Sequence, residues 1–325
     1  MNRKAVGRKT VLVTGANGYI GNAVAKSFSR AGWRTFGLVR RREDGANLAR
    51  KEIHPVVGSP EDLSFLDQTG GAVFDVVVSN TEDRRNAAAH LEKVHTMLNE
   101  VARRSCQAGV RPLVMFSSGC KDYGKMVEKH GDPGLAPHTE SSLLNPPEPL
   151  VSRTSLGTTL LLGGDASYDA TVLRPTIVYG HSSSHYGPLF DLASKSESVL
   201  QILGNPNAVM HSLHVDDCAD AYVALAQHPK PDEVAHQAFN ISNEKYETAQ
   251  EIGDALAKSY GLPVEFVAPP EDLSMLSVHA LANFWQWVSS DKLRALTGWS
   301  ERKSTFVEGI EEYRLAYEAR MQAQG

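Results

Sequence analysis

The stretch TVLVTGANGYIG, residues 10–21, constrains this chain more than any other. TVLVTG reads as a short buried strand rich in β-branched residues, and from about Tyr19 a helix begins with Ala23, Val24, Ser27 and Phe28 on one side. Gly15, Gly18 and Gly21 fall between them at G-x-x-G-x-x-G spacing. The first glycine permits a tight turn, the second lets backbone approach a pyrophosphate, and the third lets helix pack closely on strand. An anion at such a loop meets the N–H groups and the positive end of the helix dipole. Gly15, Asn17, Gly18, Tyr19, Ile20 and Gly21 are therefore the expected contacts of a dinucleotide. The second strand, WRTFGLVRR, brings Arg40 to the position where an NAD-selective site usually has a carboxylate for the adenosine ribose. A guanidinium pairs instead with a 2'-phosphate, so the expected cofactor is NADP(H) in preference to NAD.

Further strands follow at HPVV, VFDVVVSNT, RPLVMFSSG and ATVLRPTIVYG, and AFNIS reads as a seventh. Between the fourth and fifth lies a long helix with Leu91, Val94, Leu98, Val101 and Ala102 at three- and four-residue spacing. Continuous apolar strands separated by helices predict an α/β fold with a doubly wound parallel sheet, of Rossmann type, covered on both faces. Residues 124–149 lack a period and read as a long loop after the fifth strand, where binding crevices form. AQEIGDALAKSYG, SSDKLRALTG and FVEGIEEYRLAYEARMQ read as amphipathic helices of a smaller C-terminal lobe that caps the substrate. The expected division is a dinucleotide-binding domain over 1–180, with 212–243 returning to it, and a substrate-binding lobe over 181–211 and 244–325.

Composition removes several classes of function. With 33 basic and 38 acidic residues the net charge is -5, which gives no positive field for nucleic acid or an anionic membrane. Cys106, Cys120 and Cys218 are odd in number and lack C-x-x-C spacing, so a reducing, cytoplasmic setting is expected. The apolar run after the basic start is too short for a signal peptide, and no stretch reaches the roughly 18 apolar residues of a membrane span. There is no G-x-S-x-G elbow and no Walker-type loop. His181, His185, His211 and His214 cluster in the sequence without C-x-x-C or H-E-x-x-H company, so no metal site is expected.

Taken with FSSGCKDYG, TVLRPTIVYG, HVDDCADAYVAL, AFNIS and LTGW in this order, the glycine loop resembles the extended short-chain dehydrogenase/reductase superfamily of NAD(P)-dependent epimerases, dehydratases and reductases. The resemblance runs over nearly the whole chain. It implies that Arg174, Pro175 and Val178 lie beside the nicotinamide, that Ser79, Asn80 and Thr81 border the cofactor, and that the helix over about 86–107 forms a homodimer. In that superfamily a tyrosine is the general acid/base and a lysine four residues on lowers its pKa. Here the alignment puts Val151 and Ser155 at those places, and no Tyr or Lys occurs between Lys129 and Tyr168. The superfamily's catalytic Ser/Thr falls on Gly119, or on Ser118 with a shift of one residue.

Reduction of a carbonyl needs a proton that a valine cannot give, and loss of a positioned acid lowers the rate by about 10² to 10⁴. If the chain leaves the fifth strand extended, Lys121 points the same way as Gly119 and is the first candidate for the reacting oxygen, with Ser118 and Tyr123 behind it. His138, His181, His185 and Tyr186 are expected to rim the pocket, and Phe284, Trp285 and Trp287 to belong to the core. The expectation is an NADP(H)-dependent oxidoreductase or epimerase relative acting on a small carbonyl or hydroxyl compound with an altered proton-transfer apparatus. Two alternatives stand beside it: a non-redox isomerase, lyase or cyclase that uses the dinucleotide structurally, and an inactive NADP(H)-sensing regulator.

Overall fold

The computed structural model describes residues 8–83, 85–163, 167–182, 185–271, 277 and 279–323, so part of the basic start read against a signal peptide lies outside the described residues. The chain runs β1 (Thr10–Thr14), α1 (Tyr19–Arg30), β2 (Arg34–Val39), α2 (Gly45–Ala49), β3 (His54–Val57), β4 (Val76–Ser79), α3 (Ala87–Gln107), β5 (Leu113–Ser117), α4 (Val151–Leu161) and β6 (Asp169–Pro175). It continues through β7 (Ile177–Tyr179), α5 (Gly187–Lys195), β8 (Leu200–Leu203), β9 (Val209–Met210), β10 (Ser212–His214), α6 (Val215–Ala226) and β11 (Gln237–Ile241). The last elements are β12 (Glu247–Thr248), α7 (Ala249–Tyr260), β13 (Val264–Val267), α8 (Ala280–Asn283), α9 (Asp291–Thr297) and α10 (Ile310–Gln322). The chain divides into two compact units, residues 1–118, 148–173 and 219–239 in the first and residues 119–147, 174–218 and 240–325 in the second.

The first unit is built on a seven-stranded sheet in the order β11-β6-β5-β4-β1-β2-β3. β1 pairs in parallel with β2 and β4, β2 with β3, β4 with β5, and β5 with β6. This is the doubly wound α/β architecture that the apolar runs predict. All five residues of β1 are buried, as a strand covered on both faces requires. Leu91, Val94, Leu98 and Val101 of α3 join Leu12, Val77, Val114, Phe116 and Val172 of the sheet in one core. Each wholly buried side chain of that size contributes roughly 2 kcal/mol from removal of apolar surface from water.

One expected strand is two. ATVLRPTIVYG breaks after Pro175: β6 pairs with β5, whereas β7 pairs in parallel with β10 through Ile177, Val178 and Tyr179 opposite Ser212, Leu213 and His214. The Thr176 N–H donates to the Ile241 carbonyl between the two segments, at 2.9 Å.

The second unit holds three short two-stranded pairings: β7 with β10, β8 with β13 and β9 with β12. Its core gathers Tyr179, Tyr186, Phe190, Phe306, Ile310, Tyr313 and Tyr317 with Ile252 and Leu256 of α7. α7 starts at a capping box in which the Thr248 hydroxyl accepts the Glu251 N–H and the Glu251 carboxylate accepts the Thr248 N–H. Among the described residues no helix is long and apolar enough to cross a membrane.

Candidate active site

The glycine loop is drawn tight around its own backbone. Gly15 has φ +62, and a Cβ there would stand 2.9 Å from the Asn80 carbonyl oxygen. A Cβ on Gly21 would stand 2.2 Å from the Gly15 oxygen, and one on Gly18 would stand 3.1 Å from the same atom. Only hydrogen fits at Gly15 and Gly21, and at the first turn of α1 neither a side-chain cap nor an acidic residue opposes an incoming anion. The Ala16 N–H donates to the Leu38 carbonyl at 3.2 Å, which binds the loop to the end of β2.

At the end of β4 the Asn80 N–H donates to the Thr14 hydroxyl at 3.1 Å, and Thr81 Oγ1 lies 3.2 Å from His90 Nε2. The Ser79 hydroxyl and the Asn80 side-chain Nδ2 are buried without a hydrogen-bond partner among the described residues. Lining without side chains at the loop, together with these polar atoms at the end of β4, fits a bound dinucleotide. Arg40 is exposed beyond β2 and has no carboxylate partner among the described residues. Arg41 by contrast is paired with Asp44, whose carboxylate also accepts from Asn17 in the glycine loop.

Within the same unit Ser117, at the end of β5, donates to Asn80 Oδ1 and lies 2.8 Å from the hydroxyl of wholly buried Tyr222. Sequence reading misses this chain of polar groups, because Tyr222 sits 105 positions from Ser117 on an apolar helix face. Ser118 is 8% exposed and donates its N–H to the Leu173 carbonyl at 2.8 Å. On α4, Thr154, Gly157 and Leu160 are buried. Val151 and Ser155, four residues apart and so on one face, are both exposed. This exposed face of α4 carries an isopropyl group and a hydroxyl.

Lys121 belongs to the second unit and sits on a 3-10 turn, Cys120–Tyr123, so the extended geometry assumed for its side-chain direction does not hold. The turn curls because Gln286 Nε2 donates to the carbonyls of Cys120 at 2.8 Å and Gly124 at 2.6 Å, and because Gly124 takes φ +82. Half-buried Lys121 extends its ammonium over the Phe284 ring, 4.9 Å from the centroid. Tyr123 is 3% exposed, donating to Asn240 Oδ1 at 2.7 Å and accepting from Arg174 Nη1 at 3.0 Å. Burial pushes its hydroxyl pKa up to about 12, against the opposing charge of Arg174. Arg174, 4% exposed, forms a buried ion pair with Asp122 at 3.4 Å. Pro175 and Val178 are buried in β6 and β7.

His138 stacks on Tyr123 with centroids 5.2 Å apart, and burial lowers its pKa. His181 is exposed at φ +50 with Nε2 3.0 Å from Asp216 Oδ2. His185 is exposed as well, whereas Tyr186, expected beside them at a rim, is wholly buried against Phe306. His181, His214 and Asp216 come close enough to share a cation. His214 Nδ1 accepts the Asp216 N–H at 3.1 Å, however, which puts the ring proton on Nε2 and removes one ligand atom. Of the aromatic trio, Phe284 is 8% exposed, Trp285 lies 3.7 Å beneath the Lys125 ammonium and Trp287 packs edge-on to Tyr246.

Known proteins share this architecture. The family model for the NAD dependent epimerase/dehydratase family matches residues 11–242. An uncharacterized protein of Schizosaccharomyces pombe is 26% identical over 266 residues, covering 80% of this chain and 84% of that protein. Ceramide reductase of Caulobacter vibrioides is 25% identical over 319 residues, 93% of this chain and 89% of that protein. The solved structure of UDP-glucose 4-epimerase from Stenotrophomonas maltophila, with bound NAD and formylated UDP-arabinopyranose, superposes with a TM-score of 0.76 at 18% identity and covers 98% of this chain and all of that one. Since the matched model spans most of the chain, this protein is a relative of NAD-dependent oxidoreductases and epimerases, and it belongs to the NAD dependent epimerase/dehydratase family.

Proposed function

We propose that the protein is an NADP(H)-dependent oxidoreductase of small carbonyl or hydroxyl compounds, with a proton-transfer group other than the tyrosine and lysine of its superfamily. The observation that carries the cofactor reading is the clearance at Gly21, where a Cβ would meet the Gly15 oxygen at 2.2 Å. A backbone this close packs the start of α1 against the end of β1 and so sets the N-terminal N–H groups of the helix where a pyrophosphate would meet them. Gly15, Asn17, Gly18, Tyr19, Ile20 and Gly21 hold the phosphates, Arg40 takes the 2'-phosphate, and Ser79 and Asn80 bound the cofactor. When bound, the nicotinamide supplies or accepts the hydride.

Lys121 is the group that polarises the substrate oxygen. Its ammonium lies over the Phe284 ring, 4.9 Å from the centroid, a contact that steadies a cation. Tyr123 is the weaker choice, because its hydroxyl is committed to Asn240 and Arg174 and is harder to ionise than a free phenol. Ser118 positions the chain at the end of β5 through its backbone. A reductase reading is favoured by the relative named ceramide reductase, which matches almost end to end.

Calorimetry with NADP+ and NAD+ tests the cofactor half, and loss of nicotinamide absorbance with NADPH over a panel of aldehydes and ketones tests the other. On any carbonyl turned over, Lys121→Met lowers kcat about 10²-fold or more and leaves the NADP+ dissociation constant unchanged. Full kcat in that variant refutes the role of Lys121. Exposed Val151 and Ser155 favour one rival, a dinucleotide-binding regulator, for which NADP+ binds and no carbonyl on the panel consumes NADPH.

A further inference from the structure

The two nicotinamide dinucleotides differ at the adenosine ribose, and the turn after β2 that would meet that ribose is clipped to the glycine loop. Asn17 Nδ2 donates to Asp44 Oδ2 at 2.9 Å. Arg41 grips the same carboxylate side-on, Nε to Oδ2 at 3.1 Å and Nη2 to Oδ1 at 2.9 Å. Glu43 stands 3.5 Å from Arg41 Nε on the other side. The Asp44 side chain is only 17% exposed, so this carboxylate is held in place rather than swinging in water. A dinucleotide whose pyrophosphate lies on the loop directs its adenosine ribose toward the end of the second strand. In this chain that end is Arg40, Arg41, Arg42, Glu43 and Asp44.

Counting arginines would predict a strongly cationic phosphate site. The pairing says otherwise, since both acids of the turn converge on Arg41 and compensate it, while Arg40 has no acidic partner among the described residues.

We propose that Asp44 is a specificity-determining residue that restrains NADP binding: anchored by Asn17, its carboxylate holds Arg41 and opposes the 2'-phosphate, so that Arg40 alone favours NADP and NAD is admitted too. This rests on the dinucleotide reading given above. As a general magnitude, one unit charge within roughly 8 Å of a dianion in water-like surroundings changes its affinity by about fivefold. The same charge leaves a ribose 2'-hydroxyl almost indifferent.

The test is calorimetric, with NADP+, NAD+, 2',5'-ADP and 5'-ADP as probes, and needs no substrate. Asp44→Asn keeps an acceptor for Asn17 but loses the charge. It is expected to tighten NADP+ and 2',5'-ADP about fivefold or more, with NAD+ and 5'-ADP within about twofold. Arg41→Ala leaves the Asp44 carboxylate uncompensated and weakens the two 2'-phosphate probes by a similar factor. The double variant returns near wild type, and all these differences shrink in high salt because the site is exposed. An unchanged or lowered NADP+ to NAD+ affinity ratio in Asp44→Asn overturns the proposal, as does a raised ratio in Arg41→Ala. Wild-type protein that binds neither dinucleotide overturns the cofactor reading and this proposal together. Wild-type protein that binds normally beside an unresponsive Asp44→Asn overturns this one alone.

Discussion

Gly21→Ala puts the close approach of helix and strand to a direct test. The new Cβ would lie 2.2 Å from the Gly15 oxygen, 2.9 Å from its carbonyl carbon and 3.3 Å from the Thr14 oxygen. All three are backbone atoms, so no side chain can turn aside, and the start of α1 must move by about 1 Å to restore ordinary contact. Overpacking of this severity costs about 3 kcal/mol. Gly21 lies inside α1, where alanine is the better helix former by about 1 kcal/mol, so the net destabilisation is about 2 kcal/mol. For a chain of this size that lowers Tm by about 3 °C. The same shift carries the N-terminal N–H groups off the pyrophosphate, and NADP+ binding should weaken by tenfold or more, about 1.4 kcal/mol. Gly32→Ala is the control: φ is +87 but a Cβ there would meet nothing within 4 Å, so it loses only about 1 kcal/mol of backbone strain and keeps its affinity. Differential scanning fluorimetry and calorimetry read both effects. A Gly21→Ala protein that melts and binds like wild type would refute the argument from backbone clearance.

Arg174→Met leaves Asp122, 1% exposed, without its guanidinium partner, and should cost about 3–5 kcal/mol by urea unfolding. Adding Asp122→Asn should recover much of that loss, and a double variant no more stable than the single one would deny the pairing. His211 is wholly buried, and desolvation lowers its pKa to about 4, so the folded protein holds it neutral. Its Nε2 donates to the Asn243 carbonyl at 2.9 Å and its Nδ1 accepts the Val288 N–H at 3.3 Å, which leaves no place for a second proton. The unfolded chain binds that proton near pH 6.5. The stabilisation from neutral His211 is therefore complete above about pH 6.5 and declines as the pH falls toward 4, by about 3 kcal/mol in all. Urea midpoints for wild type and His211→Asn across that window check it, the variant losing this part of the slope.

Several features were legible because they are local. The apolar runs of β1 to β5, the three- and four-residue spacing of α3 and the glycine spacing each follow from periodicities of a single segment, and the sheet follows from their alternation. The direction of Lys121 was not legible, since the turn beneath it is curled by Gln286, 162 positions from Gly124. Nor was the break at Pro175, because β6 and β7 run on in one strand-like segment and separate only through the strand that each finds as a partner.

The sequence alone determined that a strand, a glycine-rich turn and a helix follow one another over residues 10–30, because these depend on residue identity and near neighbours. Tertiary structure decided which charges are neutralised. Arg40 and Arg41 are adjacent and identical in type, yet one is exposed without a carboxylate partner among the described residues while the other is gripped by a carboxylate that the glycine loop itself holds in place. Electrostatic pairing depends on distance through space, and that distance exists only once β1 and β2 lie side by side.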